Sequence, residues 1–266
     1  MKNRIINLFN RKGGDVLNVY FTAGHPELND TTSIITALDH QGVDLVEIGM
    51  PYSDPMADGE TIQNSSQRAL KNGMTLSLLM EQITTLRQSS NIPIIIMGYY
   101  NQMMQYGEER FLQEASEAGV DGLIIPDLPM DVYAKQYKNL FEKYNVTMSF
   151  LITPETSDDR IRMADELSNG FLYVVSKSSI TGSSSTISDR QKAYFNHINS
   201  LDLNTPRLIG FGIHDKTTYD TACEYAQGAI IGSAFIRALE ANGKLEEKIG
   251  QFIGGCLLYT SDAADE

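Results

Sequence analysis

Four carboxylates lie within residues 43–59, VDLVEIGMPYSDPMADG, and the spacing of three of them, Glu47, Asp54 and Asp58, suits proton transfer. Glu47 stands in an apolar run that predicts a strand, while Asp54 and Asp58 follow in a loop that prolines stiffen. Side chains alternate along a strand, so Glu47 shares a face with Leu45 and Gly49. A carboxyl group flanked by apolar neighbours has a raised pKa, which suits general acid/base work near neutrality. A glutamate paired with a lysine at a strand end would explain Glu47 equally well, and each aspartate alone is typical of a turn or helix cap.

Glycines at the ends of later strands indicate a second function, the binding of a phosphate group. They are Gly182, Gly212 and Gly232, the last followed by Ser233. Glycine lets the backbone approach an anion closely, and backbone N–H groups at a helix start bind phosphate without Lys or Arg. Each glycine is also an ordinary turn residue. Two of them after the seventh and eighth predicted strands make the stronger signal, because barrel enzymes often hold phosphate there.

These residues need a scaffold, and the remaining chain alternates short apolar runs with amphipathic stretches. The predicted strands are residues 16–22, 43–48, 93–97, 122–125, 146–151, 171–176, 207–211 and 228–231. A short leading helix is predicted over residues 3–11. Eight strand–helix units in about 250 residues predict the α/β class and a single (β/α)8 TIM barrel with an extra N-terminal helix. An open doubly wound sheet is the alternative, but a glycine-rich fingerprint does not follow the first strand.

Composition limits the classes of partner. The chain has 266 residues and a formal net charge of −13, which disfavours nucleic acid and anionic membrane surfaces as partners. Its apolar runs are too short to span a bilayer, and a signal-type apolar segment is missing from the N-terminus. The four histidines lack metal-ligand spacing, so we expect no metal site. Two cysteines cannot build a disulfide framework, which predicts a cytoplasmic, reduced protein.

The end of the chain departs from the preceding pattern. Residues 256–266, CLLYTSDAADE, resemble the translation of a sequencing-library adapter. We therefore predict a catalytic barrel domain over residues 1–255 and a non-native tail over 256–266. A natural disordered tail is the alternative.

Several motifs together carry a family resemblance. They are EIGMPYSDPMADG (47–59), IPDLP (125–129), a loop with TG at 181–182, GFGI (210–213) and GSA (232–234). In this order and spacing the chain resembles the tryptophan synthase alpha-subunit family from about residue 2 to about residue 253. The first motif is highly specific, whereas other phosphate-binding barrels share the glycine motifs.

The resemblance implies a (β/α)8 lyase that cleaves indole-3-glycerol phosphate to indole and glyceraldehyde 3-phosphate without a cofactor. It implies that Glu47 is the general acid/base, that Asp58 accepts the indole N–H, and that Tyr173 lies beside Glu47. Gly182, Gly212, Gly232 and Ser233 would hold the phosphate. The implied walls of the indole pocket are Phe21, Ile62, Leu123, Ile125 and Phe211.

The resemblance also implies a partner, a pyridoxal-phosphate beta subunit in an α2β2 complex. Thr181 would close a lid onto Asp58, while Pro51 and Asp54 would lie toward that subunit. Lys177 stands where the family commonly has arginine and Ser179 where it usually has glycine. Because these changes alter hydrogen-bond geometry and stiffen a turn, lid closure is the part of the resemblance that they affect.

Two other functions stay open from the residues alone. A different phosphate-binding barrel enzyme, such as an isomerase or the synthase that forms indole-glycerol phosphate, would place other acids and lysines at its strand ends. The absence of lysine within the predicted strands counts against the synthase. A non-catalytic phosphate-binding barrel that activates a partner subunit would tolerate the loss of Glu47 or Asp58, and both are present.

Overall fold

The computed structural model describes residues 3–55, 58–176, 187–210 and 212–257. Within these residues nine short strands form one sheet in which neighbouring strands run parallel. The strands are β1 Val16–Thr22, β2 Leu45–Gly49, β3 Ile94–Met97, β4 Gly122–Ile124, β5 Thr147–Met148, β6 Leu151–Ile152, β7 Leu172–Val175, β8 Arg207–Gly210 and β9 Gly228–Ile231.

The sheet closes into a ring. The first strand, β1, pairs with both β2 and the last strand, β9, and the strand order ends at β5 on one side and β6 on the other. Only Ser149 and Phe150 separate β5 from β6, so the predicted fifth strand is one barrel position in two pieces. The Ser149 N–H donates to the Leu123 carbonyl at 3.1 Å, and the Tyr173 N–H donates to the Phe150 carbonyl at 2.9 Å. The predicted eight-position barrel is therefore confirmed.

Helices cover the outside of the ring. They are α1 Arg4–Lys12, α2 Asp30–His40, α3 Glu60–Lys71, α4 Leu76–Leu86, α5 Tyr100–Tyr106, α6 Glu108–Ala118, α7 Met130–Val132, a π-helical stretch Tyr133–Tyr137, α8 Lys138–Tyr144, α9 Asp158–Leu167, α10 Asp189–Ser200, α11 Lys216–Cys223, α12 Ser233–Leu239 and α13 Leu245–Leu257. Local sequence sets several ends. The Thr75 hydroxyl caps α4, and Gly119 ends α6 in the left-handed conformation. In the described part of the chain none of these helices is long and apolar enough to cross a membrane.

Strand alternation divides the apolar residues into two cores. An outer core lies between sheet and helices and includes Val46 and Ile48 of β2. An inner core fills the ring, with Leu45 from β2 and Tyr173 from β7. Because successive strand residues face opposite sides, the predicted parity of β2 is confirmed.

The leading helix α1 closes the amino-terminal end of the ring. Its Ile5 and Leu8 are buried in the inner core. Asn3 caps the helix by accepting from the Ile5 N–H at 2.9 Å, and its amide donates to the Asp121 carbonyl at 2.6 Å. The inside of the barrel therefore has a floor at this end, opposite the carboxyl ends of the strands.

The predicted domain boundary falls inside the last helix. Helix α13 ends at Leu257, and Cys256 is buried against the outer core. The non-native origin of residues 256–266 stays a prediction, and residues 258–266 lie outside the described part of the chain.

Asp121 ties the floor to the barrel and offers a test of stability. Its carboxylate accepts from Arg4 Nη1 at 3.0 Å, from Arg87 Nη2 at 3.1 Å and from the Ile94 N–H at 2.9 Å. Asp121 is 3 % exposed and Arg87 11 %, so Asp121→Asn leaves a buried guanidinium without its counter-charge. We expect a loss of about 3 kcal/mol in the free energy of unfolding, measured by urea denaturation.

The matched control for Asp121→Asn is Glu109→Gln, because the Glu109–Lys143 pair is exposed on both sides. Exposed ion pairs contribute little to the free energy of unfolding, so the urea midpoint of this variant should equal that of wild type. Equal midpoints for the two variants would contradict a stabilising role for Asp121.

Candidate active site

Glu47 lies inside the ring near the carboxyl end of β2 and is fully buried. The Asn18 side-chain amide donates to Glu47 Oε2 at 2.8 Å, while Oε1 finds no hydrogen-bond partner among the described residues. Burial raises the pKa of Glu47 to about 8, the Asn18 hydrogen bond opposes this rise, and the negative charge of Asp58 adds to it. The group is therefore suited to giving and taking a proton near neutrality, with one oxygen unengaged.

Asp58 lies in the loop between β2 and α3. The Tyr99 hydroxyl donates to its Oδ2 at 3.0 Å, and the Gln63 amide donates to its main-chain carbonyl at 2.8 Å. Burial raises the pKa of Asp58, and the Tyr99 hydrogen bond acts in the opposite direction. The structure thus brings the two predicted carboxylates close enough to influence each other, with Tyr99 orienting the Asp58 carboxylate and Gln63 holding its main chain.

The loop that carries Asp58 is held against the start of α5. The Gln102 amide donates to the Pro51 carbonyl at 2.9 Å, and the Tyr52 ring stacks on Tyr99 with ring centroids 4.9 Å apart. Pro51 is buried, whereas Asp54 is exposed and accepts only from its neighbour Ser53 among the described residues. An exposed Asp54 is available to a partner protein.

Two tyrosines occupy the inside of the ring beside Glu47. Tyr173 and Tyr20 are almost fully buried, and burial followed by nearby negative charge raises the pKa of both hydroxyls above the ordinary value. Glycines make room for them. A Cβ on Gly210 would lie 2.4 Å from the Tyr173 hydroxyl, and one on Gly49 would lie 2.1 Å from the Tyr20 hydroxyl. Both hydroxyls stay neutral at physiological pH and keep their protons.

Three predicted wall residues face the wrong way for a pocket inside the ring. Phe21, Leu123 and Ile125 belong to the outer core under the helices. Alternation puts their neighbours inside instead, where Tyr20 and Ile124 join the inner core. The assignment of these three to the indole pocket is therefore corrected by strand parity.

The other two predicted wall residues differ. Ile62, in the first turn of α3, packs against the inner core as a pocket residue would. Phe211 lies outside the described residues.

Three of the four predicted phosphate residues, Gly212, Gly232 and Ser233, lie at the carboxyl ends of two paired strands, β8 and β9. Gly212 follows β8 with a φ of +83°, a conformation that favours glycine. Gly232 follows β9 and immediately precedes α12, whose first residue is Ser233. Gly182 and Thr181, together with Lys177 and Ser179, lie outside the described residues.

Three functional candidates escaped the sequence reasoning. Asn18 contacts Glu47, Tyr99 contacts Asp58, and Tyr20 takes the interior position expected for Phe21. Asn18 could have been noticed in the sequence, because it is the one amide side chain within Val16–Phe21. Nothing in the sequence indicated Tyr99, since its contact joins the loop after β3 to the loop after β2. In the described ranges the structure groups no three His, Cys, Asp or Glu residues in a way that could hold a metal ion.

Comparison with known proteins agrees with this geometry. The family model described as "Tryptophan synthase alpha chain" matches residues 7–253. The tryptophan synthase alpha chain of Flavobacterium johnsoniae is 55 % identical over 238 residues, 89 % of this chain and 94 % of that protein. The one from Parabacteroides distasonis is 47 % identical over 251 residues, 94 % of this chain and 98 % of that protein.

Solved structures give the same result. The structure of tryptophan synthase subunit alpha from Legionella pneumophila superposes with a TM-score of 0.85 at 30 % identity, covering 96 % of this chain and 97 % of that one. The tryptophan synthase complex from Pyrococcus furiosus gives a TM-score of 0.84 at 31 % identity, covering 92 % and 98 %. The barrel and the two carboxylates agree with the family match and with these relatives, so the chain belongs to the tryptophan synthase alpha chain family.

Proposed function

We propose that this protein is the carbon–carbon lyase of tryptophan biosynthesis that splits indole-3-glycerol phosphate into indole and D-glyceraldehyde 3-phosphate. The observation that carries the proposal is Glu47, a buried carboxyl group inside the ring with a pKa of about 8 and one oxygen that has no hydrogen-bond partner among the described residues. The alpha reaction is the one its family performs, without a cofactor.

The chemistry follows from what the bond requires. Glu47 gives a proton to C3 of the indole ring, which makes that carbon tetrahedral and leaves positive charge on the ring nitrogen. Asp58 accepts the indole N–H hydrogen bond and stabilises this charge. Glu47, now a carboxylate, takes the proton of the 3′-hydroxyl as the C–C bond breaks. The bonding electron pair returns to the ring and neutralises the nitrogen, an aldehyde forms on the glycerol fragment, and Glu47 is again protonated.

Substrate binding is assigned to the mouth of the ring. Gly212, Gly232 and Ser233, with Gly182, would present backbone N–H groups to the phosphate. Amides suit this task in a protein with a net charge of −13, because they bind an anion without a cluster of cationic side chains. Tyr20, Ile124 and Ile62 replace the corrected residues as walls for the indole ring, with Tyr173 beside Glu47.

The partner is the beta subunit of tryptophan synthase, which carries the pyridoxal phosphate. A Pyrococcus furiosus relative is described as part of a tryptophan synthase complex, and we extend this to an α2β2 assembly here. The exposed Asp54 and the loop beginning at Pro51 lie at the catalytic face and are assigned to the contact. A cytoplasmic location accords with this role in amino-acid biosynthesis.

The test is an indole-release assay. Purified protein without metal or pyridoxal phosphate should release indole from indole-3-glycerol phosphate slowly, and addition of the beta subunit should speed the release. Indole is followed by its colour reaction, in parallel with glyceraldehyde 3-phosphate through a coupled dehydrogenase. A protein that stimulates the beta subunit but releases no indole in either condition would instead be the non-catalytic activating barrel.

A further inference from the structure

We propose that Asn18 is a positioning residue for Glu47, holding Oε2 so that Oε1 is the oxygen that exchanges protons with the substrate. The inference rests on the acid/base role of Glu47 given above and deepens it.

The place of Asn18 in the fold calls for an explanation. It lies in β1, inside a ring whose interior is otherwise filled largely by apolar side chains, and it is fully buried. Burying an amide costs free energy unless its hydrogen bonds are restored. In the described part of the chain its side chain makes one hydrogen bond, to Glu47 Oε2 at 2.8 Å, and its Oδ1 has no partner. Glu47 is thus the group that this buried amide serves.

An amide suits a partner that changes protonation state. Its NH2 end donates to Oε2 of the carboxylate, as in the structure, and it donates in the same way to Oε2 when that atom is the carbonyl oxygen of an acid whose proton is on Oε1. The Asn18 amide therefore does not need to reorient when the proton leaves Oε1 or returns to it. Asn18 can therefore hold Oε2 both before and after Glu47 gives up its proton.

The other titratable groups that face Glu47 are Asp58, Tyr20 and Tyr173. Asp58 is a carboxylate, and its negative charge disfavours the ionised form of Glu47. The buried hydroxyls of Tyr20 and Tyr173 interact electrostatically with Glu47, whose negative charge raises the pKa of both. The Asn18 hydrogen bond acts in the opposite direction on Glu47, because it lowers the pKa that burial raises. Loss of this hydrogen bond should therefore raise the pKa of Glu47.

The test compares Asn18→Leu, which keeps the number and branching of the side-chain heavy atoms and removes the amide, and Asn18→Asp, which keeps the shape and adds a second acid. Glu47 must start protonated, so activity falls as the pH rises through its pKa. For Asn18→Leu we expect this alkaline limb of kcat/KM to move up by roughly one pH unit and kcat to fall about tenfold. For Asn18→Asp the upper apparent pKa of the coupled pair should rise further.

The control is Thr205→Val, which removes a partly buried hydrogen bond from the Thr205 hydroxyl to the Asp165 carbonyl, at 2.9 Å, just before the start of β8. It should lower the melting temperature and leave the alkaline limb in place. A purely structural Asn18 would behave in the same way. The proposal would be overturned if a folded Asn18 variant kept the alkaline limb of its kcat/KM profile at the wild-type pH and its kcat within twofold of wild type.

A direct titration separates this proposal from the proposed function. Carboxyl 13C resonances of labelled glutamate are followed against pH, and the Glu47 signal is identified by its absence in Glu47→Gln. It should titrate at higher pH in Asn18→Leu than in wild type, whether or not the protein cleaves indole-3-glycerol phosphate. Missing lyase activity in wild type would refute the function alone, and an unchanged Glu47 titration would refute the role of Asn18 alone.

Discussion

Glu47→Gln should lower kcat for indole release by about 10⁴-fold, because one carboxyl group gives the proton to C3 and takes the proton from the 3′-hydroxyl. Glutamine has nearly the same volume and can still contact Asn18, so substrate should bind with an affinity close to that of wild type. Single-turnover assays of indole release, with KM or direct binding measured in parallel, separate chemistry from binding. Glu60→Gln is the matched control, since that side chain is exposed at the start of α3, and it should keep wild-type turnover.

The same variant should change how stability depends on pH. The folded state raises the pKa of Glu47 from 4.5 to about 8, so between these values the unfolded chain is ionised while the folded one holds its proton. Wild-type stability therefore declines as the pH rises across this window, by a few kcal/mol in total, and levels off above pH 8. Glu47→Gln lacks this decline and should be the more stable protein at pH 9. Wild-type-like indole release, or parallel stability curves, would contradict a buried acid at this position.

Asp58→Asn should lower kcat by about 10²- to 10³-fold, the range for removing one group that stabilises charge in a transition state. The amide oxygen of asparagine can still accept from the Tyr99 hydroxyl, so the loop keeps its geometry and loses its charge. The control, Asp54→Asn, alters an exposed carboxylate of the same loop and should leave turnover unchanged when the beta subunit is absent. Equal rates for the two variants, measured by indole release from saturating substrate, would remove Asp58 from the chemistry.

The barrel was predictable because local patterns and global topology agree. The predicted first and eighth strands, 16–22 and 228–231, match β1 and β9 residue for residue, since glycine and aspartate bound their apolar runs. The fifth strand was not predictable in detail. The predicted strand continues through residues 146–151, but in the structure its first piece, β5, pairs with β4 and its second piece, β6, pairs with β7, and Ser149 and Phe150 lie between the two. This interruption comes from closing the ring, which is not encoded in a short window of sequence.

Site residues were predictable where the alternation of side chains along one strand fixes their direction. They were missed where a contact joins two separate elements. Parity placed Glu47 and Tyr173 inside the ring, as the structure has them. The same rule, applied to Val16–Thr22, would have replaced Phe21 by Tyr20 as an interior residue. The bond between Tyr99 and Asp58 joins residues 41 positions apart in sequence, and only the folded ring brings them together.

The helix that closes the amino-terminal end of the ring has a consequence for turnover. With Ile5 and Leu8 packed into the inner core, α1 covers the amino-terminal end of the ring, so we expect the fully buried Glu47 to be reached through the opening at the carboxyl ends of the strands, where substrate binds. A bound substrate occupies that opening, so the proton delivered to the ring carbon is restored from the hydroxyl of the same molecule. Each catalytic cycle thus returns Glu47 to its protonated form without proton exchange with solvent. Both products leave by the same opening through which the substrate enters.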